Sequence, residues 1–539
     1  MVIALMAAHA PLFLNDGVVM DDWLVLKLRP DQVMDLDFLV NGAGHPVFFA
    51  YYSIANMTGE PVAVMVIMAV FAILAGAICL ALAAARSGLL SRAEAIGVAL
   101  LVWTYPGYQM WAGKTNGVYV FSFGLFSIAT WLLTLAFDAK GLRRTALRAA
   151  SALAFFLSFE LNSLMVLYVF AMFGLFVAVW RANGGEQGPI RRLFSSAWCC
   201  ASGYPELVVL PLVYWGVLNV WFKRVGNYAG YYGIRLPTFS ALLDGWCSFF
   251  RIGYVDVLGR AARMAIDYRF LFAAIFVLLV VITVVLARGS NRPRWSVSRI
   301  GLPLCLGLLL FAALALPYLI AGIRPTEHFY ETRHLLLFGL PAAFLVVAGK
   351  RLLESIVGER AAVAVAFGLA LIVSVAALWS SYFFLQARVL KQEALSSHLA
   401  AMPMPAAIVF NLKDGFYDGS PRYAPFGIAE VTGMLRLAWG DHPFLGFSLQ
   451  GERPTVLQEV ELIRISEGSA YHHVDPSGWQ ATISLEPGPA AMPDAALVRR
   501  YYACRLLARC DVGELLTQLA AVRVDVGPIA GVLPLDKPK

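Results

Sequence analysis

The chain has 539 residues, of which 60% are hydrophobic and only 14% charged, with a net charge of +7 and a mean hydropathy of +0.70. Soluble domains carry about 25% charged residues, so a soluble globular protein is excluded. The basic balance does not point to nucleic acid, because Arg and Lys gather in short loops between apolar stretches, as the positive-inside rule expects.

Many of the apolar stretches match the roughly 20 helical residues needed to cross a hydrocarbon core. They are continuous rather than alternating, which predicts helices and excludes a membrane barrel. The pattern predicts an α-helical polytopic membrane protein with about eleven crossings, at 1–14, 61–85, 93–111, 116–137, 146–159, 162–180, 203–221, 270–287, 300–321, 334–349 and 361–385. The first is short and lacks a basic flank and a small-residue cleavage pattern, so it reads as an uncleaved anchor rather than a signal peptide. Segment 46–57 and parts of 236–266 are too short or too mixed to span, and read as interfacial helices. Residues 149–180 hold one charge, Glu160, and predict a helical hairpin turning at Ser158–Ser163.

The loops Arg86–Arg92, Lys140–Arg148, Arg181–Arg192, Arg288–Arg299 and Lys350–Arg360 are basic and alternate correctly if all face the cytoplasm. The segment around Asp21, the loop near Lys114, and residues 222–269 and 322–333 then face outward. So does the tail. Residues 1–385 read as the membrane domain and 386–539 as a C-terminal extracytoplasmic α/β domain. In the tail, Ala406–Phe410 and Gln480–Leu485 read as strands, and Gly427–Leu437 and Ala495–Leu507 as helices. No zinc-type Cys/His spacing is present. If Cys504 and Cys510 share one helix, about 9 Å of rise separates them, too far for a disulfide.

The candidate chemistry sits in the outward segments. Asp21-Asp22-Trp23 follows the first span. Carboxylates held just outside a membrane can act as a general base or bind a cation, and adjacent like charges raise one pKa toward the value a base needs. The plain alternative is a solvated acidic loop with an interfacial Trp. His45, in Gly44-His45-Pro46, closes the same outer segment and is a candidate for binding a phosphate or an acceptor sugar, against a hydrogen-bonding role at a helix start. Glu160 is either a functional acid at membrane depth or a cap on Asn162-Ser163.

The densest polar run between two spans, Ile323–His334, holds Arg324, His328, Tyr330 and Arg333. Arg suits fork-like recognition of phosphate, which makes Arg333 the first and Arg324 the second phosphate candidate, with Lys114 third. The alternative is a solvated loop of internal Glu–Arg pairs. Tyr228, Tyr231, Tyr232, Trp246, Phe249, Phe250 and Tyr254 read mainly as interface aromatics. No Walker A, dinucleotide fingerprint or HExxH motif occurs, which argues against ATP hydrolysis.

The layout over roughly residues 1–385 resembles the GT-C superfamily of membrane glycosyltransferases. The matching features are Asp21-Asp22-Trp23 in the first outer loop, interfacial segments ending in Gly44-His45-Pro46, the Ser158-Phe159-Glu160 turn, and an outer C-terminal domain. The resemblance implies a polyprenyl-phosphate sugar donor, a glycan, glycolipid or protein acceptor, and action on the outer side of a bacterial inner membrane. It maps the catalytic carboxylate onto Asp21, with Asp22 as the near alternative. It implies no required cofactor, with a divalent cation on Asp21 and Asp22 as an option. Two other functions stay open. One is a polysaccharide polymerase or ligase relying on Arg and His of 322–334. The other is a flippase or transporter for lipid-linked saccharide, which calls for charged residues lining several spans and broken helices in two halves.

Overall fold

In the computed structural model, the residues described are 1–15, 17–29, 36–182, 189–225, 237–288, 296–327, 329–407, 409–417, 419, 424–440, 442, 444–450 and 480–526. His328, Tyr228, Tyr231 and Tyr232 lie outside them.

The protein is a helical membrane bundle with a small C-terminal α/β unit. The chain enters through α1 (Val2–Ala8) and a 3₁₀ turn (Ala10–Leu14), then α2 (Asp22–Val25), α3 (Asp37–Asn41) and α4 (Pro46–Asn56). The bundle helices follow as α5 (Pro61–Arg86), α6 (Arg92–Trp103), α7 (Gly117–Asp138), α8 (Gly141–Ser158), α9 (Leu164–Ala182), α10 (Pro189–Gly203) and α11 (Pro205–Trp221). Next come α12 (Phe239–Phe250), α13 (Asp256–Asp267), α14 (Arg269–Ala287), α15 (Val297–Ile320), α16 (Gly339–Val357) and α17 (Glu359–Ala400).

Among the described residues, seven helices are long and apolar enough to cross a membrane, or eight if α10 and α11, bent by 66° at their junction, form one span. Eleven expected crossings are therefore too many on that criterion, and the three that fall short do so for local reasons. Residues 1–14 break at His9, ahead of Pro11. The His9 ring is buried, with Nδ1 2.6 Å from the Tyr382 hydroxyl and Nε2 2.8 Å from the Trp103 carbonyl, so one face of this segment packs against the bundle. The 93–111 stretch stops at Trp103, because Pro106 disfavours helix in the residue before it. The first half of α8 carries Arg143, Arg144 and Arg148 and is too polar to span. The hairpin turn between α8 and α9 falls where the lone Glu160 placed it, and α4 covers the expected interfacial segment.

The two ends of the bundle differ in charge. At one end, Glu94 pairs with Lys350 (3.4 Å) and Arg351 (2.8 Å), Glu354 pairs with Lys350 and Arg299, and Arg86 pairs with Asp138. These pairs bring together described residues at or beside four of the five basic loops: Arg86, Asp138 just before Lys140–Arg148, Arg299, and Lys350 with Arg351. At the opposite end lie Asp21, Lys114 and the 3₁₀ segment Phe329–Phe338. Phe249 is fully buried and stacks on Phe338 with centroids 5.0 Å apart, so it packs the core rather than a membrane interface.

The sheet is four-stranded, in the order β2 (Leu445–Ser448), β1 (Val409–Asp414), β3 (Gln480–Pro487), β4 (Ala520–Val526). β1 pairs in parallel with β2 and β3, and β4 is antiparallel to β3. Cys504 and Cys510 form a disulfide, contrary to the one-helix expectation. The helix Asp494–Leu507 ends before the second cysteine, and Ala508 turns left-handed at φ 50, which brings the two Cα atoms to 4.5 Å.

α17 does not stop at 385. It runs unbroken to Ala400 and carries the C-terminal unit on its extension. The junction is ionic and buried. Arg388 of α17 and Glu430 of α18 (Ile428–Trp439) are both 0% exposed. Glu430 accepts from Arg388 Nε (2.9 Å) and Nη2 (2.5 Å), Gln392 Nε2 (2.6 Å), the Gly427 amide (2.8 Å) and the Met20 amide (3.1 Å). Burial alone would raise its carboxyl; the Arg388 charge and these donors hold it below its ordinary 4.5. A carboxyl depressed on folding adds stability that is present above pH 4.5 and lost as pH falls through the depressed value. The thermal unfolding midpoint in detergent is therefore expected to fall as pH drops below that point. Glu430→Ala, which strands buried Arg388, costs about 3–5 kcal/mol near neutral pH and flattens that acid dependence.

Candidate active site

The acidic pair sits at the start of α2, with Asp21 at its N-cap and Asp22 its first residue. Met20, just before it, has φ 53, a left-handed conformation costly for a residue with a side chain. It is held there by the bond from its amide to Glu430 and by Trp23, whose indole lies over Gly433 so closely that a Cβ there would overlap it. The C-terminal unit thus fixes the loop from behind.

The two carboxylates do different things. Asp22 is buried at 1% exposure. Its Oδ2 accepts from the amides of Val19 (3.0 Å) and Lys114 (3.1 Å), and its Oδ1 from the amide and hydroxyl of Thr115 (2.5 Å each). It ties the 18–23 turn to the loop before α7. Burial pushes its carboxyl up, opposed by the Lys114 charge and the Thr115 bonds.

Asp21 faces the other way. The Tyr330 hydroxyl donates to its Oδ2. Burial raises its carboxyl above the ordinary 3.8. The Tyr330 bond and the Arg333 charge oppose that rise, while Glu430 and Glu331 add to it. Arg333 stacks over the Tyr330 ring at 4.2 Å and lies 3.9 Å from Glu331. Glu331 in turn lies 3.4 Å from His334. The 3₁₀ segment is anchored by Thr332, whose hydroxyl oxygen accepts from the Gln109 amide at 3.0 Å. A carboxyl raised above its ordinary 3.8, a phenol that orients it and a guanidinium beside both make a site able to take a proton and hold an anion.

The structure brings together Asp21, Tyr330 and Arg333 but separates the other candidates. Lys114 is buried and turned inward, its Nζ donating to the carbonyls of Asn15 (3.1 Å) and Ala112 (3.0 Å), so it braces the loop instead of facing a phosphate. Arg324 is exposed and bonds the Ala241 carbonyl of α12 at 3.2 Å. His45 and Glu160 form their own pair, 2.7 Å apart. Among the described residues, no group of three His, Cys, Asp or Glu side chains gathers as a metal site. The donors already on Asp22 leave it a poor cation ligand.

Thr115, Arg388 and Glu430 were not anticipated. Glu430 three residues after Gly427 carries the local signal of a helix start, but nothing near it in sequence points to Met20.

No protein-family model and no curated protein matches the chain. Among solved structures it is similar to the crystal structure of ArnT from Cupriavidus metallidurans bound to undecaprenyl phosphate. The two share 12% identity over 98% of this chain and 98% of that one, with a TM-score of 0.34. The apo state of ArnT gives 14% identity over 93% of this chain and 94% of that one, with a TM-score of 0.31.

The division of labour predicts unequal stability effects. Asp22→Ala removes the acceptor of four donors and is expected to cost about 2–4 kcal/mol. Asp21→Asn keeps an acceptor for Tyr330 and is expected to leave the thermal unfolding midpoint nearly unchanged. Parallel thermal scans of the two variants in one detergent check this.

Proposed function

We propose that the protein is a membrane glycosyltransferase. It moves a sugar from a polyprenyl-phosphate donor to a glycan, lipid or protein acceptor, with Asp21 as general base. The observation that carries this is the Asp21–Tyr330–Arg333 group: one raised carboxylate, oriented by a phenol and flanked by a guanidinium, at the end of a membrane bundle.

Asp21 takes the proton of the acceptor hydroxyl as that oxygen attacks the anomeric carbon. The bond from the anomeric carbon to the phosphate oxygen breaks, and its electron pair leaves with the polyprenyl phosphate. Arg333 lies where it can hold that charge. One displacement inverts the anomeric centre. Asp22 keeps the loop in place and takes no proton.

Two observations support an extracytoplasmic site. Among the described residues, the loop cations Arg86, Arg299, Lys350 and Arg351 gather at the opposite end of the bundle, as expected of a cytoplasmic side. The Cys504–Cys510 disulfide in the C-terminal unit, which packs on the acidic loop, is of a kind that persists in oxidising compartments. On this reading the protein sits in a bacterial inner membrane with Asp21 facing the periplasm.

Sugar transfer by the purified protein, measured against pH, tests the proposal. Asp21→Asn is expected to lower kcat/KM by about 10²–10⁴-fold. Because Asp21 is raised, the base is lost as pH falls through a value above the ordinary 3.8, and the acid limb lies there. Tyr330→Phe removes a hydrogen bond that favours the carboxylate, so its acid limb moves to higher pH. Full activity of Asp21→Asn, or an acid limb that Tyr330→Phe leaves in place, contradicts the assignment.

A further inference from the structure

His45 and Glu160 meet from two turns 115 residues apart, with His45 Nδ1 2.7 Å from Glu160 Oε1. The step proposed above does not use them. The Glu160 side chain is fully buried and that of His45 is 16% exposed. Glu160 Oε2 makes no hydrogen bond among the described residues, and none is made by His45 Nε2.

The pair is held by a built framework. Gly44, at φ +70, lets its turn close on the end of α11, where a Cβ would lie 2.5 Å from the Phe222 carbonyl oxygen. The Val225 amide donates to the Gly42 carbonyl at 3.0 Å, and the Arg224 side chain runs alongside. Tyr214 of α11 lies within electrostatic reach of both Glu160 and Arg224.

A row of rings joins this pair to the acidic loop. His45 stacks on Phe48 at 4.7 Å, and Phe48 meets Tyr119 edge-on at 5.5 Å and Tyr52 at 6.4 Å. The Tyr52 hydroxyl donates at 2.5 Å to the carbonyl of Thr115, the residue that bonds Asp22. Along α4, His45 is about 10 Å from Tyr52.

The chemistry of the open atoms selects a ligand. A carboxylate only accepts, so Glu160 takes the Nδ1 proton, and in the neutral ring Nε2 is left as an acceptor. Nε2 and Glu160 Oε2 therefore both call for donors. A phosphate at neutral pH has little to donate, whereas a sugar has hydroxyls. We infer that His45 Nε2 accepts a hydrogen bond from a carbohydrate hydroxyl, on the sugar in transit or on the acceptor, and that Glu160 is a positioning residue that fixes the His45 tautomer. This rests on the glycosyltransferase reading.

The test adds purified protein to membranes of a deletion strain, which supply their own donor and acceptor, and reads initial transfer rates against membrane concentration. His45→Ala and Glu160→Gln each raise the half-saturating concentration about tenfold, with kcat within about threefold. The double variant is no worse than either single, since the two act as one unit. His45→Gln, which keeps an acceptor oxygen, recovers most of the affinity and serves if His45→Ala fails to fold.

Binding of bare polyprenyl phosphate, followed by thermal shift, is unchanged in every variant. Weaker binding of the sugar-charged lipid extracted from the same membranes assigns the hydroxyl to the donor. Unchanged binding of that lipid with raised half-saturation assigns it to the acceptor. Wild-type half-saturation in both single variants, additive losses, or weaker binding of the bare lipid overturns the inference. If the wild-type protein transfers nothing at any membrane concentration, the glycosyltransferase reading itself falls, and this inference with it.

Discussion

The Glu430 carboxylate is the point on which the geometry of this protein converges. Among the described residues it takes five hydrogen bonds, from Arg388 twice, Gln392, Gly427 and Met20, and its side chain is 0% exposed. An ion pair in a dry interior is a poor source of net stability, because desolvating both charges offsets their attraction. Its value here is positional, since a buried charge tolerates only arrangements that satisfy it. The pair fixes the extension of α17 against α18 and reaches across to the one backbone amide that holds Met20 left-handed. The turn bearing Asp21 is thus set by residues some 400 positions away, and the C-terminal unit becomes part of the site's framework.

From that constraint the two neighbouring carboxylates acquire separate characters. Asp22 faces inward into four donors and serves as a brace. Asp21 faces the 329–338 segment, where burial raises it and Tyr330 and Arg333 check the rise. Environment divides the roles of two identical side chains, the arrangement expected wherever one acid must stay a brace while its neighbour handles a proton.

Much of this was legible in the sequence, where the signal was local. The lone Glu160 in an apolar run located the hairpin turn, the acidic doublet located the loop, and hydropathy located the long helices. In the tail, β3 and the helices at 427–437 and 495–507 were placed to within a few residues and β1 a few residues early, while the helix Val512–Leu519 was missed. What was not legible depended on distant contacts. Hydropathy counted residues 1–14 and 93–111 as crossings, yet His9 finds its partners in Tyr382 and Trp103. Lys114 read as a phosphate candidate because the carbonyls of Asn15 and Ala112 to which its Nζ donates are set by folding. The Cys504–Cys510 bond was missed because Ala508, a residue with no turn preference, ends the helix. Arg388 and Glu430 carry no periodic or motif signal that joins them to Met20.

The most direct measurement is mass spectrometry of surface glycans, glycolipids and glycoproteins from three strains: the parent, a deletion, and the deletion carrying Asp21→Asn at wild-type protein level. The account predicts that one sugar increment disappears on deletion and stays absent with Asp21→Asn, its mass giving the class of sugar transferred. Restoration of the parent pattern by Asp21→Asn would contradict it, since the carboxylate around which the whole site is arranged would then be dispensable.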